Sequence, residues 1–330
     1  MQTMQQADSV KLKLEDDRPL LIVVVDTEEE FDWSAPPNRN ETSVSHMHSL
    51  DLTHNICTDF GLSPCYVIDY PIASQRDSIE ILRAYADKQQ CEIGAHLHPW
   101  VTPPMTETLS VSNMYPGNLD KEIEFDKLQS LVNQIETSFG RKPTSYKAGR
   151  YGFGTNTLNT IKALGFNVDL SFCPPVNHSA DGGPDYSHCT SDIFQFPDSN
   201  ILGIPITGAF TGALASMAPQ AFDAAKRLEA LKVPGILSRL NLLDRLILSP
   251  EGYTSDEHIR LAKHLYNKGQ RVFTWSFHSP TVVPGFTEYV QSDADQARYL
   301  DAFKRFFDFF FNDMNGRAST PAQIYKMTEM

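Results

Sequence analysis

The 330-residue sequence predicts an α/β fold, a single domain built on a mostly parallel sheet. Short apolar runs recur along the chain, each followed by a polar or Gly/Pro turn and then usually by a helix-like segment. Residues with catalytic or metal-binding chemistry also follow directly after several of these runs. In a (β/α) barrel the carboxyl ends of the strands converge on one face, so we expect an active site there.

Seven runs are predicted to be strands because they are short, apolar and bounded by turn residues. They are residues 20–25, 65–68, 92–95, 144–147, 167–172, 201–206 and 271–277. Five segments have apolar residues at helical spacing and are predicted to be helices. They are residues 78–87, 119–139, 155–164, 255–268 and 293–312, with Thr155 and Ser255 expected as N-caps and Gly140 as a C′ residue. We take residues 1–18 as a polar N-terminal extension and 19–330 as the domain.

Composition limits the partners and the compartment. The net charge of −13 argues against nucleic acid or an anionic membrane surface, since both favour basic patches. Five cysteines without CxxC spacing predict a reduced, cytoplasmic protein. The N-terminal extension lacks a signal-peptide pattern, and no apolar run is long enough to span a bilayer. The oligomeric state stays open.

Two pairs of residues indicate a hydrolytic metal site. His96 and His98 end one apolar run, and Asp26 and Glu28 end another. In an extended chain, residues i and i+2 point to the same side, so each pair is directed at one point. One carboxylate would be the third ligand and the other a general base, with Asp26 favoured for function because it lies directly on its strand. A loop cap is the competing interpretation, and we expect the acidic residues that follow (Glu29, Glu30 and Asp32) to form a solvated face.

Three more residues follow predicted strands. Lys147 and Arg150 would orient the base or stabilise an oxyanion, with a surface salt bridge as the alternative. His278 would be a general acid that protonates a leaving amine. The other histidines are interpreted as structural, and His258 and His264 are expected to face solvent. They are His46, His48, His54, His178, His188, His258 and His264.

Four segments in this order resemble the polysaccharide deacetylases with a NodB homology domain, most closely their WalW-type branch. They are residues 25–33, 94–100, 147–152 and 277–280, with residues 169–171 and 283–289 also similar to that branch. The resemblance extends from about residue 20 to near the C-terminus. It implies a distorted (β/α)7 barrel and metal-dependent removal of an N-acetyl or similar acyl group from a sugar, associated with surface polysaccharide.

The resemblance also implies roles for single residues. Asp26 would be the base, His278 the acid, and Glu28, His96 and His98 the ligands of a divalent metal. Zinc is the first choice for these nitrogen and oxygen donors, and nickel or cobalt would suit them too. The chain departs from the family at two positions: Trp100 stands where the second histidine is usual, and Lys147 stands where arginine is usual.

The sequence leaves the substrate open. Trp100, Tyr151 and Trp275 would stack on a sugar ring or belong to the core. The expected cytoplasmic location favours a precursor such as a nucleotide-linked or lipid-linked sugar. The alternatives are an amidohydrolase for a small or cyclic amide and a carbohydrate-binding barrel with weak catalysis.

Overall fold

A computed structural model describes residues 6–7, 9–10, 16–33, 35–226, 232–240 and 242–328. Its main sheet has nine strands in the order β10-β1-β2-β3-β4-β5-β7-β6, with β11 paired to β1. All pairings in this sheet are parallel except β6 with β7, and β8 and β9 form a separate antiparallel ladder. The strands are β1 (Leu20–Thr27), β2 (Cys65–Ile68), β3 (Glu92–Leu97), β4 (Ser145–Ala148), β5 (Val168–Asp169), β6 (Phe194–Gln195), β7 (Leu202–Gly203), β8 (Gly208–Thr211), β9 (Asp244–Ile247), β10 (Val272–His278) and β11 (Arg317–Ala318).

The helices lie mainly between the strands. They are α1 (Asp51–Asp59), α2 (Tyr70–Ser74), α3 (Arg76–Asp87), α4 (Lys121–Phe139), α5 (Thr157–Leu164), α6 (Gln220–Lys226), α7 (Val233–Arg239), α8 (Ser255–Asn267), α9 (Asp293–Asp308) and α10 (Pro321–Lys326). A π-helical turn, Phe309–Asp313, extends α9. None of the described helices combines the length and the apolar character needed to cross a membrane.

The predicted strands and long helices are present, with corrections at their ends. Gly140 ends α4 in the left-handed conformation, as expected (φ 70°). The N-cap of α8 is Thr254, which forms a capping box with Glu257, and not Ser255. Thr155 does not cap α5, because that helix begins at Thr157.

Residues 167–172 and 201–206 form only two-residue strands because their regular pairing is interrupted. The amide of Ala148 donates to the Ser171 side chain (2.8 Å) instead of a strand carbonyl. Beyond the ladder, the amides of Leu170 and Ile204 still bond to the Tyr146 and Asp169 carbonyls. These segments therefore line the barrel without regular strand geometry.

The barrel closes irregularly between β7 and β10. The amide of Leu248 donates to the Thr207 carbonyl (2.7 Å), and the amide of Ser276 donates to the Leu248 carbonyl (3.2 Å). Main chain outside the regular strands thus bridges the gap in the sheet. This is the distorted barrel that the resemblance implies.

Alternation along the strands separates the two sides of the sheet. Leu20, Ile22 and Val24 of β1 belong to an apolar cluster inside the barrel. Leu21 and Val23 belong to the larger cluster between the sheet and the helices. Since Asp26 has the parity of the inner residues, its carboxylate lies above the apolar interior.

Candidate active site

The register of the sheet brings the sequence-predicted residues together. Asp26 at the end of β1 lies beside His278 at the end of β10, and His96 of β3 lies beside Lys147 of β4. Parallel pairing places all these strand ends on one rim of the barrel. Two clefts open on this rim, one of about 170 Å³ and one of about 890 Å³.

Glu28, His96 and His98 form the metal-ligand set that the resemblance implies. The Glu28 Oε2 atom lies 3.4 Å from His96 Nε2 and 3.3 Å from His98 Nε2, and all three side chains are buried. An ion bound tetrahedrally at about 2.0–2.1 Å holds its ligand atoms roughly 3.3–3.4 Å apart. The Glu28 oxygen therefore already lies at the distance from both histidine nitrogens that a zinc-sized ion requires, and all three donor atoms lie within 4.8 Å of one another.

Charge in the cluster favours a cation. Burial alone raises the pKa of Glu28, but His278, His96 and His98 outweigh it and hold the pKa well below its usual value. Glu28 is therefore an ionised carboxylate, the form in which it can ligate a metal.

Both histidine rings are oriented by hydrogen bonds at Nδ1, the nitrogen that faces away from Glu28. The Nδ1 atom of His96 lies 3.0 Å from the Lys147 carbonyl, and Nδ1 of His98 lies 2.8 Å from Glu29 Oε2. Such partners fix the ring orientation and leave Nε2 for a metal. The prediction that Glu29 belongs to a solvated face is wrong, since it is 1 % exposed.

Glu29 and Asp69 form a buried acidic pair beside His98. The amide of Glu29 donates to Asp69 Oδ2 (2.8 Å), and burial raises the pKa of Glu29 to about 7. Glu29, Asp69 and His98 also have donor atoms close enough for a metal. However, Glu29 and Asp69 lie outside the lining of both clefts, and the Glu29–His98 contact has hydrogen-bond length. We therefore interpret this pair as support for His98.

Asp26 is held by Lys147. The Nζ atom of Lys147 lies 2.6 Å from Asp26 Oδ1 and donates to the Ser276 hydroxyl at 3.2 Å. Both charged side chains are almost fully buried. The other carboxylate oxygen, Oδ2, lies 3.5 Å from His278 Nε2 and completes a line of alternating charge across the rim.

Glu251 is a residue of the candidate site that sequence reasoning missed. Its Oε2 lies 2.8 Å from His278 Nδ1, and its Oε1 accepts from the His278 amide (3.0 Å). Burial disfavours the imidazolium, but the charges of Glu251, Glu28 and Asp26 prevail and raise the pKa of His278 to about 10. His278 is therefore protonated at neutral pH. Glu251 follows the apolar residues 246–248, which is the signal that identified the other site residues.

Two other predicted residues, Arg150 and Tyr151, lie beside the smaller cleft. Arg150 does not orient the base, because Lys147 holds that position. The guanidinium of Arg150 lies 4.5 Å from the Tyr115 ring, 5.3 Å from the Trp33 ring and 3.4 Å from Asp181. Tyr151 lines the smaller cleft and stacks on His178 (centroids 5.3 Å apart). Arg150 and Tyr151 both have positive φ (54° and 58°), a strained conformation that is common at functional sites.

Trp275 and Trp100 are not surfaces for a sugar. Trp275 is fully buried and stacks on Phe306 of α9, because its position on β10 faces the helices. Trp100 is 1 % exposed and stacks on the His98 ring (centroids 4.2 Å apart, 25°). Trp100, which stands where the family usually has a histidine, thus packs against His98, a candidate metal ligand.

The loop after His98 is anchored by a buried lysine. Lys127 of α4 donates to the carbonyls of Pro99 (2.9 Å), Thr102 (2.7 Å) and Pro104 (2.7 Å), and its Nζ lies 2.7 Å from Glu107. A charged group with this many partners holds the loop, and with it His98, in one conformation.

Gly149 makes room for the same histidine. A Cβ atom at this position would lie 2.6 Å from the His98 ring and 2.4 Å from the Leu97 carbonyl oxygen. Only glycine allows the chain that follows β4 to approach the Leu97–His98 segment so closely.

His46, one of the histidines interpreted as structural, connects the segments that follow two strands, β1 and β10. Its Nδ1 lies 3.1 Å from Glu30 Oε1 and its Nε2 lies 2.8 Å from the Ser279 hydroxyl, which accepts from the Glu28 amide (3.3 Å). Glu30, His46 and Ser279 contact one another in the carboxylate–imidazole–hydroxyl arrangement of a hydrolase triad. However, Ser279 is fully buried and inaccessible to a substrate. The group therefore positions Glu28.

His258 corrects another expectation. It is fully buried, not solvent-facing, and its Nε2 lies 2.7 Å from the Ser249 carbonyl, two residues before Glu251. Burial lowers the pKa of His258 to about 4. His264 is half-buried.

Neither a protein-family model nor a curated protein matches the chain. Two similar solved structures come from Mycobacterium smegmatis and Pseudomonas aeruginosa, each provisionally assigned as a polysaccharide deacetylase. Both are 13 % identical with a TM-score of 0.55. The first comparison covers 98 % of this chain and 95 % of the other, and the second covers 94 % and 91 %. At this identity the likeness concerns the fold.

A third similar structure is 4-alpha-glucanotransferase from Thermococcus litoralis. It is 9 % identical with a TM-score of 0.52, and the match covers 94 % of this chain and 41 % of that one. Similar folds thus occur in proteins named for different reactions, and the function has to be argued from the residues of the site.

Proposed function

We propose that this chain is a metal-dependent deacetylase that removes an N-acetyl or similar acyl group from a sugar. The observation that carries the proposal is the buried cluster of Glu28, His96 and His98, in which the Glu28 oxygen lies 3.4 Å and 3.3 Å from the two histidine nitrogens. A base and an acid, Asp26 and His278, line the same cleft. The fold of two provisionally assigned polysaccharide deacetylases supports the proposal.

The residues divide the work of amide hydrolysis. A metal held by Glu28, His96 and His98 would lower the pKa of water and polarise the amide carbonyl. Asp26 takes the proton from the attacking water, and Lys147 holds the Asp26 carboxylate in position.

His278 completes the reaction. Because the pKa of His278 is raised to about 10, its imidazolium is present at neutral pH and can protonate the departing amine.

Lysine at position 147 contacts Asp26 through a single Nζ, whereas arginine would offer two parallel donors. We infer that one strong contact is sufficient because Ser276 holds the lysine from the other side.

Several finer assignments stay predictions. They are zinc rather than nickel or cobalt, the WalW-type branch, a role in surface-polysaccharide metabolism, the cytoplasmic location and the single domain of residues 19–330. Small-amide hydrolysis and sugar binding without catalysis remain the alternatives to test.

The experiment is acetate release from N-acetylated oligosaccharides by chelator-treated protein, with and without added Zn²⁺, Ni²⁺ or Co²⁺. We expect activity only with metal. Asp26→Asn should reduce kcat by about 10²–10⁴-fold, the usual contribution of a general base.

The matched control is Asp87→Asn at the exposed end of α3, which should retain full activity. Acetate release by the Asp26→Asn variant at the wild-type rate would exclude Asp26 as the base. If a stoichiometric metal binds but no acyl sugar is hydrolysed, the deacetylase proposal is wrong.

A further inference from the structure

The two clefts on the rim differ in charge. Both are lined by Glu28, Trp33 and His278. The smaller one contains Arg150. We call the larger one, of about 890 Å³, the acidic arm; Asp32, Glu41, Glu288, Trp33 and Tyr289 are among the residues that line it.

The acidic arm has an excess of negative charge. Five carboxylates line it, those of Glu28, Glu30, Asp32, Glu41 and Glu288, and among the described lining residues His278 is the only basic side chain. A concave surface with charge of one sign concentrates ligands of the opposite sign and repels those of the same sign.

The arm also has the aromatic surfaces that sugar rings and ammonium groups contact. Trp33 is 48 % exposed and Tyr289 is 44 % exposed, both unusually open for large aromatic side chains. Trp33 lies at the junction of the two clefts, where a chain passing the metal site would contact it. An ammonium group near an aromatic face gains a cation–π contact in addition to the attraction of the carboxylates.

These features disfavour a nucleotide-linked sugar. The pyrophosphate of such a substrate carries negative charge, and the acidic arm would face it with carboxylates of the same sign. A saccharide that already carries free amines has the complementary charge. The volume of the arm lies in the range of ligand sites, about 300–1,000 Å³, so it has room for a sugar unit beside the reacting one.

We propose that the acidic arm binds a protonated amino-sugar unit adjacent to the acylated unit at the metal site. The preferred substrate is then a partly deacetylated, cationic saccharide chain, and each product amine makes the next unit a better ligand for the arm. This inference rests on the proposed function for the reaction, but the binding of the amine is a separate property.

The experiment measures binding by calorimetry at pH 6, at low and at physiological salt. The probes are a glucosamine tetramer with free amines, the fully N-acetylated tetramer and a uridine diphosphate N-acetylamino sugar. The variants are Asp32→Asn, Glu288→Gln and the double variant. The matched control is Glu122→Gln, an exposed carboxylate on α4.

We expect the free-amine tetramer to bind more tightly than the acetylated one, and to lose affinity as salt increases. Each arm substitution should weaken this binding by about two- to fivefold, and the control should not. The nucleotide sugar should not bind. Equal affinity for the two tetramers at low salt, an unchanged affinity in the double variant, or tight binding of the nucleotide sugar would each overturn the inference.

Acetate release is measured separately on the same samples. If the protein binds the free-amine tetramer more tightly than the acetylated one but releases no acetate, the proposed reaction is wrong and the inference on the acidic arm stands. If acetate is released but the two tetramers bind equally, the inference on the acidic arm is wrong and the proposed reaction stands.

Discussion

Replacement of Lys147 by methionine tests the buried ion pair at the centre of the site. Lys147 is fully buried, Asp26 is 2 % exposed, and their charged atoms are 2.6 Å apart. At an effective dielectric constant of about 20, such charges attract by about 6 kcal/mol. Relaxation of the site and the contact of Asp26 with His278 compensate part of this lost attraction. We therefore expect Lys147→Met to lower the free energy of unfolding by about 3–5 kcal/mol.

The reasoning requires that the loss come from the stranded Asp26 charge and not from packing. Asp26→Asn in the same chain removes that charge, so the double variant should be at least about 1 kcal/mol more stable than the sum of the two single effects predicts. The assay is urea unfolding of all four proteins after chelation, repeated with metal. Tyrosine and tryptophan fluorescence reports the transition.

A surface pair supplies the control. Lys142 and Glu136 are 3.9 Å apart and well exposed, so Lys142→Met should change the stability by less than about 1 kcal/mol. If Lys147→Met lowers the free energy of unfolding no more than this control does, the buried ion pair does not have the role assigned here. The same holds if the losses caused by Lys147→Met and Asp26→Asn are additive in the double variant.

Three other changes test the supports of the site. Glu29→Gln weakens the partner of His98, so metal affinity measured by equilibrium dialysis should fall about 10–100-fold, and unchanged affinity would contradict the orienting role. The pKa of His278 is raised, so its acid form is present below about pH 10 and is lost above it. Glu251→Gln removes a charge that raises this pKa, and the alkaline limb of kcat/KM should move to lower pH; a fixed limb would exclude His278 as the titrating acid. Gly149→Ala places a Cβ atom 2.6 Å from the His98 ring, so elemental analysis should find less than stoichiometric metal, and full occupancy would refute the packing argument.

The residues that the sequence identified most securely lie at strand ends. Asp26, His96 and His278 each follow an apolar run, and parallel pairing necessarily carries such positions to one rim. Trp275 was left open between contact with a sugar and a place in the core, and its parity on β10 selects the core, since alternate residues face opposite sides of a strand. That choice was possible from the sequence.

Other residues could not be assigned in advance. Glu29 and Glu30 stand side by side in an acidic run, yet one supports His98 and the other supports His46. Their directions depend on the loop conformation after β1, which local sequence does not specify. Lys127 is separated from the loop it anchors by more than twenty residues, and only the packing of α4 brings it there.

The sequence by itself determined the mostly parallel sheet, the rim on which the candidate site lies and the donor types of the candidate metal site, because strand periodicity and residue chemistry are local properties. Only the tertiary structure decided which carboxylate pairs with which partner: Glu28 with His96 and His98, Asp26 with Lys147, and Glu251 with His278. These contacts join residues far apart in the chain, and their geometry exists only once the strand ends and loops have packed against one another.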